Sequence, residues 1–323
     1  MDISRIDELL TPEMDALDRE MTRVLGTDHP FLANLASRIM GTPGKKLRPK
    51  LLILCSKMLG YEGTHGPLFG LVFELVHTAT LIHDDIIDEA RTRRGKPTLN
   101  HELGNTITVL YGDLLYTKAH STAIETGRID LLDIVTWVSE RMIEGELIQN
   151  KHHFDSRLTE ETYFDILQRK TAYLFAGTTK AAGLINREDE QVCRDLFDYG
   201  FHFGVSFQLM DDYLNFTGSA REMGKPVLSD LRDGKLTLPL IKLLARDEGK
   251  RWRGEVERFW RDGDETIPEQ LAEAVKATGC LEETWVMAKA AAERAVNHLI
   301  SFEENRFRHI LTELPIHLLH RRK

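Results

Sequence analysis

Two acidic clusters have the residue types and the spacing that could do chemistry. The first is His83-Asp84-Asp85-Ile86-Ile87-Asp88, and the second is Asp211-Asp212-Tyr213-Leu214-Asn215. Each places acidic or amide groups at i, i+1 and i+4. On a helix, i and i+4 lie on one face a turn apart, and i+1 is rotated by about 100°. Asp84 and Asp88 are therefore predicted to form a pair of carboxylates, with Asp85 beside them.

The helix that leads into the first cluster is predicted to be buried, because residues 71–82 are largely apolar and Ile86 and Ile87 stand among the acids. Carboxylates at the end of a buried helix repel each other and must be neutralised. A divalent cation with oxygen ligands does this, and Mg²⁺ keeps water or phosphate oxygens among its ligands. The two clusters thus predict Mg²⁺ ions shared with a diphosphate. For either Asp pair taken alone, a solvated helix end is the alternative.

Basic side chains that could bind such a diphosphate occur in several short segments. Residues 44–49 (GKKLRP) open on a glycine and lead into a helix, and residues 91–97 (RTRRGKP) directly follow the first acidic cluster. Further cations stand beside Gly or Thr at Lys170, Lys225 and Lys235. Next to acidic clusters they are predicted to be phosphate ligands, whereas alone they would be surface charge. His77 is either a core histidine or a donor to phosphate.

The elements that must position these residues are predicted to be helices. Apolar residues recur at helical spacing through most of the chain, as in Leu68, Leu71, Val72, Leu75, Ala79 and Ile82. Gly and Pro cluster in short breaks, and no linker or low-complexity stretch divides the sequence. We expect an all-α fold of ten or more helices in one domain, residues 1–323.

Charge and composition exclude several classes of protein. The sequence has 42 Lys and Arg against 51 Asp and Glu, a formal charge of −9, which argues against a general nucleic-acid binder. Cys55, Cys193 and Cys280 are far apart, so we expect buried, reduced thiols and a cytoplasmic protein. The acidic N-terminal segment does not have the pattern of an export signal. Glu74 and His77 interrupt the longest apolar stretch, and no membrane span is expected.

The chemistry-bearing segments belong to a longer ordered set of motifs. They are residues 44–49 (GKKLRP), 74–88 (ELVHTATLIHDDIID), 93–95 (RRG), 104–105 (GN), 112–113 (GD), 170–171 (KT), 207–212 (FQLMDD) and 224–239 (GKPVLSDLRDGKLTLP). In this order they resemble the trans-isoprenyl diphosphate synthase family, the chain-elongating prenyltransferases, over nearly the whole sequence. The resemblance implies an all-α fold with helices around a central cavity, usually as a homodimer.

The resemblance also implies roles for individual residues. Three Mg²⁺ ions per active site are expected, with Asp84, Asp88 and Asp211 as their protein ligands. The implied catalytic residues are Asp84, Asp85, Asp88, Lys170, Asp211 and Asp212. Isopentenyl diphosphate would be bound by Lys45, Arg48, His77 and Arg94. The allylic diphosphate would be bound or flanked by Arg93, Lys170, Thr171, Gln208, Lys225 and Lys235.

The implied reaction is ionisation followed by carbon–carbon bond formation. Cations stabilise charge on the departing diphosphate, so the allylic C–O bond breaks. The isopentenyl double bond attacks the allylic cation, and a proton is then lost to the bound diphosphate. No protein nucleophile is needed, which agrees with the lack of a Ser-His or Cys-His signature in the sequence.

Two rival functions differ from this pattern at single residues. A class I terpene cyclase shares the first acidic motif, but its second metal motif usually has a Glu where Ser219 stands. A cyclase also has no use for an isopentenyl site. A non-catalytic partner subunit would lose an acidic motif, and Asn215, where the family usually has Asp, is a partial loss. Restoring Asp at 215 is expected to lower the Mg²⁺ requirement.

The residues before the first acidic cluster predict the length of the product. A prenyl tail held at Asp84 would run along the same helix toward its N-terminus, past Ala79, Thr80 and Val76. Short-chain members of the family place an aromatic side chain at one of the first two positions, where this sequence has small residues. Phe73 is the first aromatic candidate for a floor. We expect a hexaprenyl to decaprenyl product, with geranylgeranyl or farnesyl diphosphate as the alternative.

Overall fold

Helices make up nearly all of the regular structure in the computed structural model, which describes residues 3–41, 44–93, 95–217, 228–247 and 249–320. In chain order the α-helices are α1 (Ile3–Leu9), α2 (Thr11–Leu25), α3 (Pro30–Met40), α4 (Leu47–Met58), α5 (His65–Ile87), α6 (Leu99–Leu103), α7 (Asn105–Glu125), α8 (Ile129–Lys151), α9 (Glu160–Leu167), α10 (Tyr173–Asn186), α11 (Glu190–Thr217), α12 (Ser229–Arg232), α13 (Leu238–Ala245), α14 (Lys250–Asp262), α15 (Thr266–Ala277), α16 (Cys280–Asn297) and α17 (Arg306–Leu319). A π-helix, Gln168–Ala172, joins α9 to α10. Strands β1 (Thr92–Arg93) and β2 (Lys96–Pro97) form a short antiparallel pair. The predicted all-α fold is confirmed.

The chain divides into two compact units. The first unit comprises Met1–Ser139, Phe175–Asp198 and Ser301–Leu311, and the second comprises Glu140–Leu174, Tyr199–Ile300 and Thr312–Lys323. The single domain expected over residues 1–323 stays a prediction.

Helix α5 is the centre of the first unit and packs against α2, α4 and α7. Its Phe69, Leu71, Phe73 and Val76 side chains are fully buried. Burying a side chain of this size contributes roughly 1.5–3 kcal/mol relative to leaving it exposed. Because neighbouring helices hold α5 on several faces, the acidic residues at its C-terminal end have a fixed position.

The second unit has a core built on the short apolar helix α13. This helix contacts α9, α14, α15 and α16, and Leu238, Leu240 and Leu243 are buried. Pro239 lies in the first turn of the helix, where its missing N–H leaves no helical bond unmade. Lys235 precedes α13 by three residues, so this core anchors one of the predicted phosphate ligands.

One helix within the described ranges, α5, is long and apolar enough to cross a membrane by length and composition alone. Glu74 and His77, which are predicted to interrupt the apolar stretch, both lie within this helix of 23 residues, whose other side chains are largely apolar. In the structure 61% of its most apolar stretch of 18 residues is buried. Its apolar surface is thus mostly covered by protein.

Candidate active site

Asp84 and Asp88 lie one turn apart at the C-terminal end of α5, as predicted. Asp84 is in the last turn, and the backbone N–H of Asp88, the C-cap residue, donates to the carbonyl oxygen of Asp84 at 2.8 Å. Both residues are half-buried. The C-terminal end of a helix carries a partial negative charge, so two carboxylates are unfavourable there without a cation. This position favours cation binding over a solvated helix end.

Asp85 faces the protein interior and holds Arg93. The Arg93 Nε–H donates to Asp85 Oδ1 at 2.7 Å, and the Asp85 residue is only 7% exposed. Arg93 sits on β1, paired with Lys96 on β2 across Gly95, whose φ of +74° suits the turn. These contacts hold Arg93 in place, and the catalytic role that the resemblance implies for Asp85 stays a prediction. Arg94, a predicted isopentenyl ligand, lies outside the described residues.

The basic segment 44–49 begins α4, as predicted. Lys46, with a φ of +44°, precedes the helix and forms an ion pair with Asp18 of α2. Lys45 is exposed, while Arg48 is half-buried with its guanidinium carbon 4.7 Å from the centre of the Phe175 ring. The ring orients the guanidinium without neutralising it, which suits Arg48 for binding an anion.

The residues predicted to set product length all lie on α5. Phe73, Val76 and Ala79 are fully buried. Thr80 is half-buried, and its hydroxyl donates to the carbonyl oxygen of His77 at 2.7 Å. His77, a predicted isopentenyl ligand, is itself half-buried on the same helix.

Helix α7 approaches α5 closely beside the first acidic motif. A Cβ atom added to Gly112 would lie 2.2 Å from Nε2 of His83. That nitrogen is 3.1 Å from the carbonyl oxygen of Val109, to which its N–H donates. On the same helix, burial and then the negative charge of Asp84 raise the pKa of Tyr116 above its ordinary value. The glycine therefore allows α7 to reach the residues around Asp84.

We expect Gly112→Ala to destabilise the protein by about 1–3 kcal/mol, because the methyl group displaces His83 from its hydrogen bond. The free energy of unfolding in urea measures the effect. Gly254→Ala is the matched control, since an added Cβ there meets nothing within 4 Å and alanine stabilises an α-helix by about 0.5–1 kcal/mol relative to glycine. Equal stability of Gly112→Ala and the wild type would contradict the assigned contact.

In the second unit, a hydrogen-bond network links the second acidic motif to the π-helix. The Thr171 hydroxyl donates to Gln208 Oε1 at 3.0 Å, and Gln208 Nε2 donates to Asp212 Oδ1 at 3.1 Å. Asp212 also accepts from the Tyr163 hydroxyl at 2.5 Å and from the backbone N–H of Leu238 at 3.2 Å. The network fixes the predicted ligands Thr171 and Gln208 relative to α13.

Asp212 is 2% exposed. Burial raises its pKa to about 7, although the hydrogen bonds from Tyr163 and Gln208 act in the opposite direction. Its carboxylate accepts three hydrogen bonds, from Tyr163, Gln208 and the backbone of Leu238, and so links α9, α11 and α13. These contacts give Asp212 a structural role, and the catalytic role implied by the resemblance stays a prediction. Asp211, by contrast, is exposed.

Tyr163→Phe should destabilise the protein by about 1–3 kcal/mol, because it leaves a buried carboxylate with one donor fewer. Chemical denaturation followed by circular dichroism measures this loss. Tyr213→Phe, on α11 and half-buried, is the control and should stay within about 0.5 kcal/mol of the wild type. If both variants were equally stable, the Tyr163–Asp212 hydrogen bond would have no energetic role.

Asn215 is buried, and its side-chain amide donates a short hydrogen bond to Asp230 Oδ2. Its Oδ1 atom has no hydrogen-bond partner within the described part of the chain. An aspartate at this position would put two carboxylates in contact. The expected gain in Mg²⁺ affinity from Asn215→Asp therefore carries a repulsive cost that the sequence alone did not reveal.

Lys235 is held through the glycine before it. Gly234 has a φ of +74°, and its carbonyl oxygen accepts from the backbone N–H of Phe154 at 2.8 Å. A Cβ on Gly234 would lie 2.8 Å from the Phe154 ring, which also stacks edge-on against Trp260 at 5.6 Å. The backbone N–H of Lys235 donates to the carbonyl oxygen of Asp230 at 2.8 Å. Phe154 thus fixes the turn that presents Lys235.

Four of the residues predicted to bind or flank the allylic diphosphate line one cavity of about 220 Å³ in the second unit. They are Lys170, Thr171, Gln208 and Lys235, and Asp212 and Asp230 also line this cavity. Lys225, also a predicted ligand, and Ser219 lie outside the described residues. Among the residues that the structure describes, no group of three or more His, Cys, Asp and Glu side chains forms a complete metal site.

Sequence reasoning missed several residues that organise this site. Glu146 pairs with Lys170, Tyr163 supports Asp212, and Phe154 holds Gly234. Each acts on a residue distant in sequence, so no local spacing marks it. Asp230 does stand in one of the quoted motifs, and its position before Gly234-Lys235 was an available signal.

The chain is similar to known proteins over most of its length. Residues 29–276 match the family of polyprenyl synthetases. The chain is 32% identical to octaprenyl diphosphate synthase of Escherichia coli (strain K12) over 317 residues, 97% of each chain. It is similar to the structure of a decaprenyl diphosphate synthase from Rhodobacter capsulatus (TM-score 0.92, 31% identity, all of both chains). It is also similar to a polyprenyl synthase from Caulobacter crescentus CB15 complexed with calcium and isoprenyl diphosphate (TM-score 0.93, 32% identity, 100% of this chain and 98% of that one).

These matches confirm the resemblance and the isoprenoid-synthase type of fold that the motifs predicted. They cover almost the whole length of the chain and include the segments that carry both acidic motifs. The chain therefore belongs to the polyprenyl synthetase family.

Proposed function

We propose that this protein is a trans-polyprenyl diphosphate synthase, which condenses isopentenyl diphosphate with an allylic diphosphate to give a medium- to long-chain product. The observation that carries the proposal is the pair of half-buried carboxylates one turn apart at the end of α5, in a chain similar to an octaprenyl synthase over 97% of its length. The names of the relatives, octaprenyl and decaprenyl, support a product longer than geranylgeranyl diphosphate.

The donor set fits Mg²⁺. Asp84 and Asp88 offer hard oxygen donors at a helix end that favours a cation, and Asp211 offers a further exposed carboxylate. Few protein carboxylates are needed, because Mg²⁺ takes water and substrate phosphate oxygens as its remaining ligands. The bound calcium of the Caulobacter relative supports a divalent cation in the family. We propose that these three aspartates hold three Mg²⁺ ions, which would stabilise the negative charge of the leaving diphosphate.

The side chains of this chain would bind and orient the two substrates. Lys170, Thr171, Gln208 and Lys235 line one cavity and would hold the allylic diphosphate, with Lys225 and Arg93 as further ligands. Lys45, Arg48, His77 and Arg94 would hold isopentenyl diphosphate. Cations around a leaving diphosphate lower the barrier to breaking the allylic C–O bond. The diphosphate itself accepts the proton lost after the new bond forms.

Direct synthesis tests this function. The purified protein is supplied with isopentenyl diphosphate, Mg²⁺ and each of dimethylallyl, geranyl and farnesyl diphosphate in turn, and the products are sized by mass spectrometry. We expect linear hexaprenyl to decaprenyl diphosphates with at least one primer. A cyclic hydrocarbon would indicate a terpene cyclase, and no product with any primer would favour a non-catalytic subunit.

We also propose that the protein works as a homodimer in the cytoplasm. Exposed apolar side chains on α7, Leu110 at 60% and Ile124 at 61%, support an association surface there. Cys55, Cys193 and Cys280 are buried free thiols, as a reducing compartment allows. Light scattering after size-exclusion chromatography should give the mass of two chains.

A further inference from the structure

The π-helix Gln168–Ala172 carries two of the proposed allylic ligands, Lys170 and Thr171. A π-helical turn has poorer backbone hydrogen bonding than an α-helix, so it persists where surrounding contacts hold it and is frequent at functional sites. In the described structure it follows α9 directly and leads into α10. The contacts around this segment therefore decide whether it keeps its π-helical form.

Gly145 of α8 packs directly against the π-helix. A Cβ atom added to Gly145 would lie 2.8 Å from Cβ of Arg169 and 2.9 Å from the backbone nitrogen of Lys170. It would also lie 3.3 Å from the carbonyl carbon of Arg169. Two of these three atoms are backbone atoms, which cannot swing aside as a flexible side chain can. Any side chain at 145 must therefore move the π-helix.

The residues on either side of Gly145 form ion pairs with the same segment. Glu144 forms an ion pair with Arg169, and also pairs with Arg141 at 2.7 Å. Glu146 forms an ion pair with Lys170. Adjacent helical residues point about 100° apart, so Glu144 and Glu146 leave α8 in different directions, and each pairs with a different residue of the π-helix. Three consecutive residues of α8 thus contact two consecutive residues of the π-helix.

We propose that Glu144, Gly145 and Glu146 form a positioning element that holds Lys170 and Thr171 at the allylic diphosphate. The inference rests on the proposed function, which makes these two residues substrate ligands. A glycine at an ordinary helix crossing would only allow close packing. Here the atoms it touches belong to a ligand residue and its neighbour, and the flanking carboxylates pair with the same two residues. Displacing the segment should weaken allylic binding and spare the isopentenyl site.

The test is Gly145→Ala. Titration calorimetry with farnesyl diphosphate and Mg²⁺, without isopentenyl diphosphate, should show a dissociation constant raised on the order of tenfold, because small displacements of binding groups have large effects. The KM for farnesyl diphosphate should rise with it, while the KM for isopentenyl diphosphate stays within about twofold. Gly254→Ala, an exposed helical glycine in the same unit whose added Cβ meets nothing within 4 Å, is the control and should bind as the wild type does.

A second variant keeps the test decisive if Gly145→Ala does not fold. Glu144→Gln adds no volume and removes the carboxylate that pairs with Arg169 and Arg141. It should raise the same dissociation constant by roughly threefold, with a normal KM for isopentenyl diphosphate. A wild type that fails to bind farnesyl diphosphate would overturn the proposed function, and the inference with it. If the wild type binds and the folded variants bind equally well, or lose both substrates alike, only the positioning role is overturned.

Discussion

Asp84→Asn and Asp88→Asn are each expected to lower kcat by a factor on the order of 10²–10³ or more, because on the proposed function each removes a charge that holds the cation at the reacting diphosphate. Asparagine keeps the size and an oxygen donor, so the change tests charge alone. The two carboxylates lie at the C-terminal end of α5, where the helix dipole disfavours anions. Each variant removes an anion from this end of the dipole, so the contribution of the helix dipole to stability should not fall when no divalent cation is present.

Steady-state rates at several Mg²⁺ concentrations, together with melting temperatures in chelator, measure these two effects. Asp133→Asn is the control, because Asp133 is an exposed aspartate on α8 outside the acidic motifs. Near-normal turnover by either variant at ordinary Mg²⁺ would remove the basis for the metal assignment. A large fall in melting temperature in chelator would instead indicate that the carboxylate is structural.

The second large effect concerns product length. We expect Ala79→Tyr to shorten the product from hexaprenyl–decaprenyl to farnesyl or geranylgeranyl length. On the proposed function, a tail bound at Asp84 would run along α5, which rises about 1.5 Å per residue, so the ring at position 79 would block it early. Val76 and Phe73 lie further along α5, and all three residues are fully buried. Mass spectrometry of the products gives the distribution.

Two further variants separate tail length from folding. Thr80→Val changes no volume and should leave the product distribution unaltered. Thr80→Phe places an aromatic ring at the neighbouring half-buried position, and it should also shorten the product if Ala79→Tyr fails to fold. A folded Ala79→Tyr enzyme with the wild-type products would show that the tail does not pass this face of α5.

Local patterns were sufficient to predict the first acidic motif. The i, i+4 spacing placed Asp84 and Asp88 on one helix, and the apolar run before them indicated a buried helix, as α5 proves to be. The same reasoning placed the 44–49 segment at the start of a helix. These features depend on neighbours within about one or two turns, which is the range over which sequence periodicity is informative.

Contacts between distant residues could not be predicted in this way. The π-helix is packed on Gly145, which lies more than 20 positions before it in the sequence. The burial of Asp212 depends on Tyr163 and on the backbone of Leu238. The pairing of Asn215 with Asp230 joins residues 15 positions apart in the sequence. In each case tertiary packing, which local sequence propensity does not reveal, decides whether the polar side chain is exposed or is buried against another residue.

On the proposed function, the ion pair between Lys170 and Glu146 has a consequence for which anions the site would accept. Lys170 can keep this carboxylate as a partner while it binds a diphosphate, because an ammonium group has three N–H donors. Both side chains are largely shielded from solvent, at 24% and 15% exposed, so the negative charge of Glu146 would repel any incoming anion. Chloride or acetate would gain little against this repulsion, whereas a diphosphate carries several charges and contacts several donors at once. The carboxylate would thus favour polyvalent ligands over the monovalent salts of the surrounding medium.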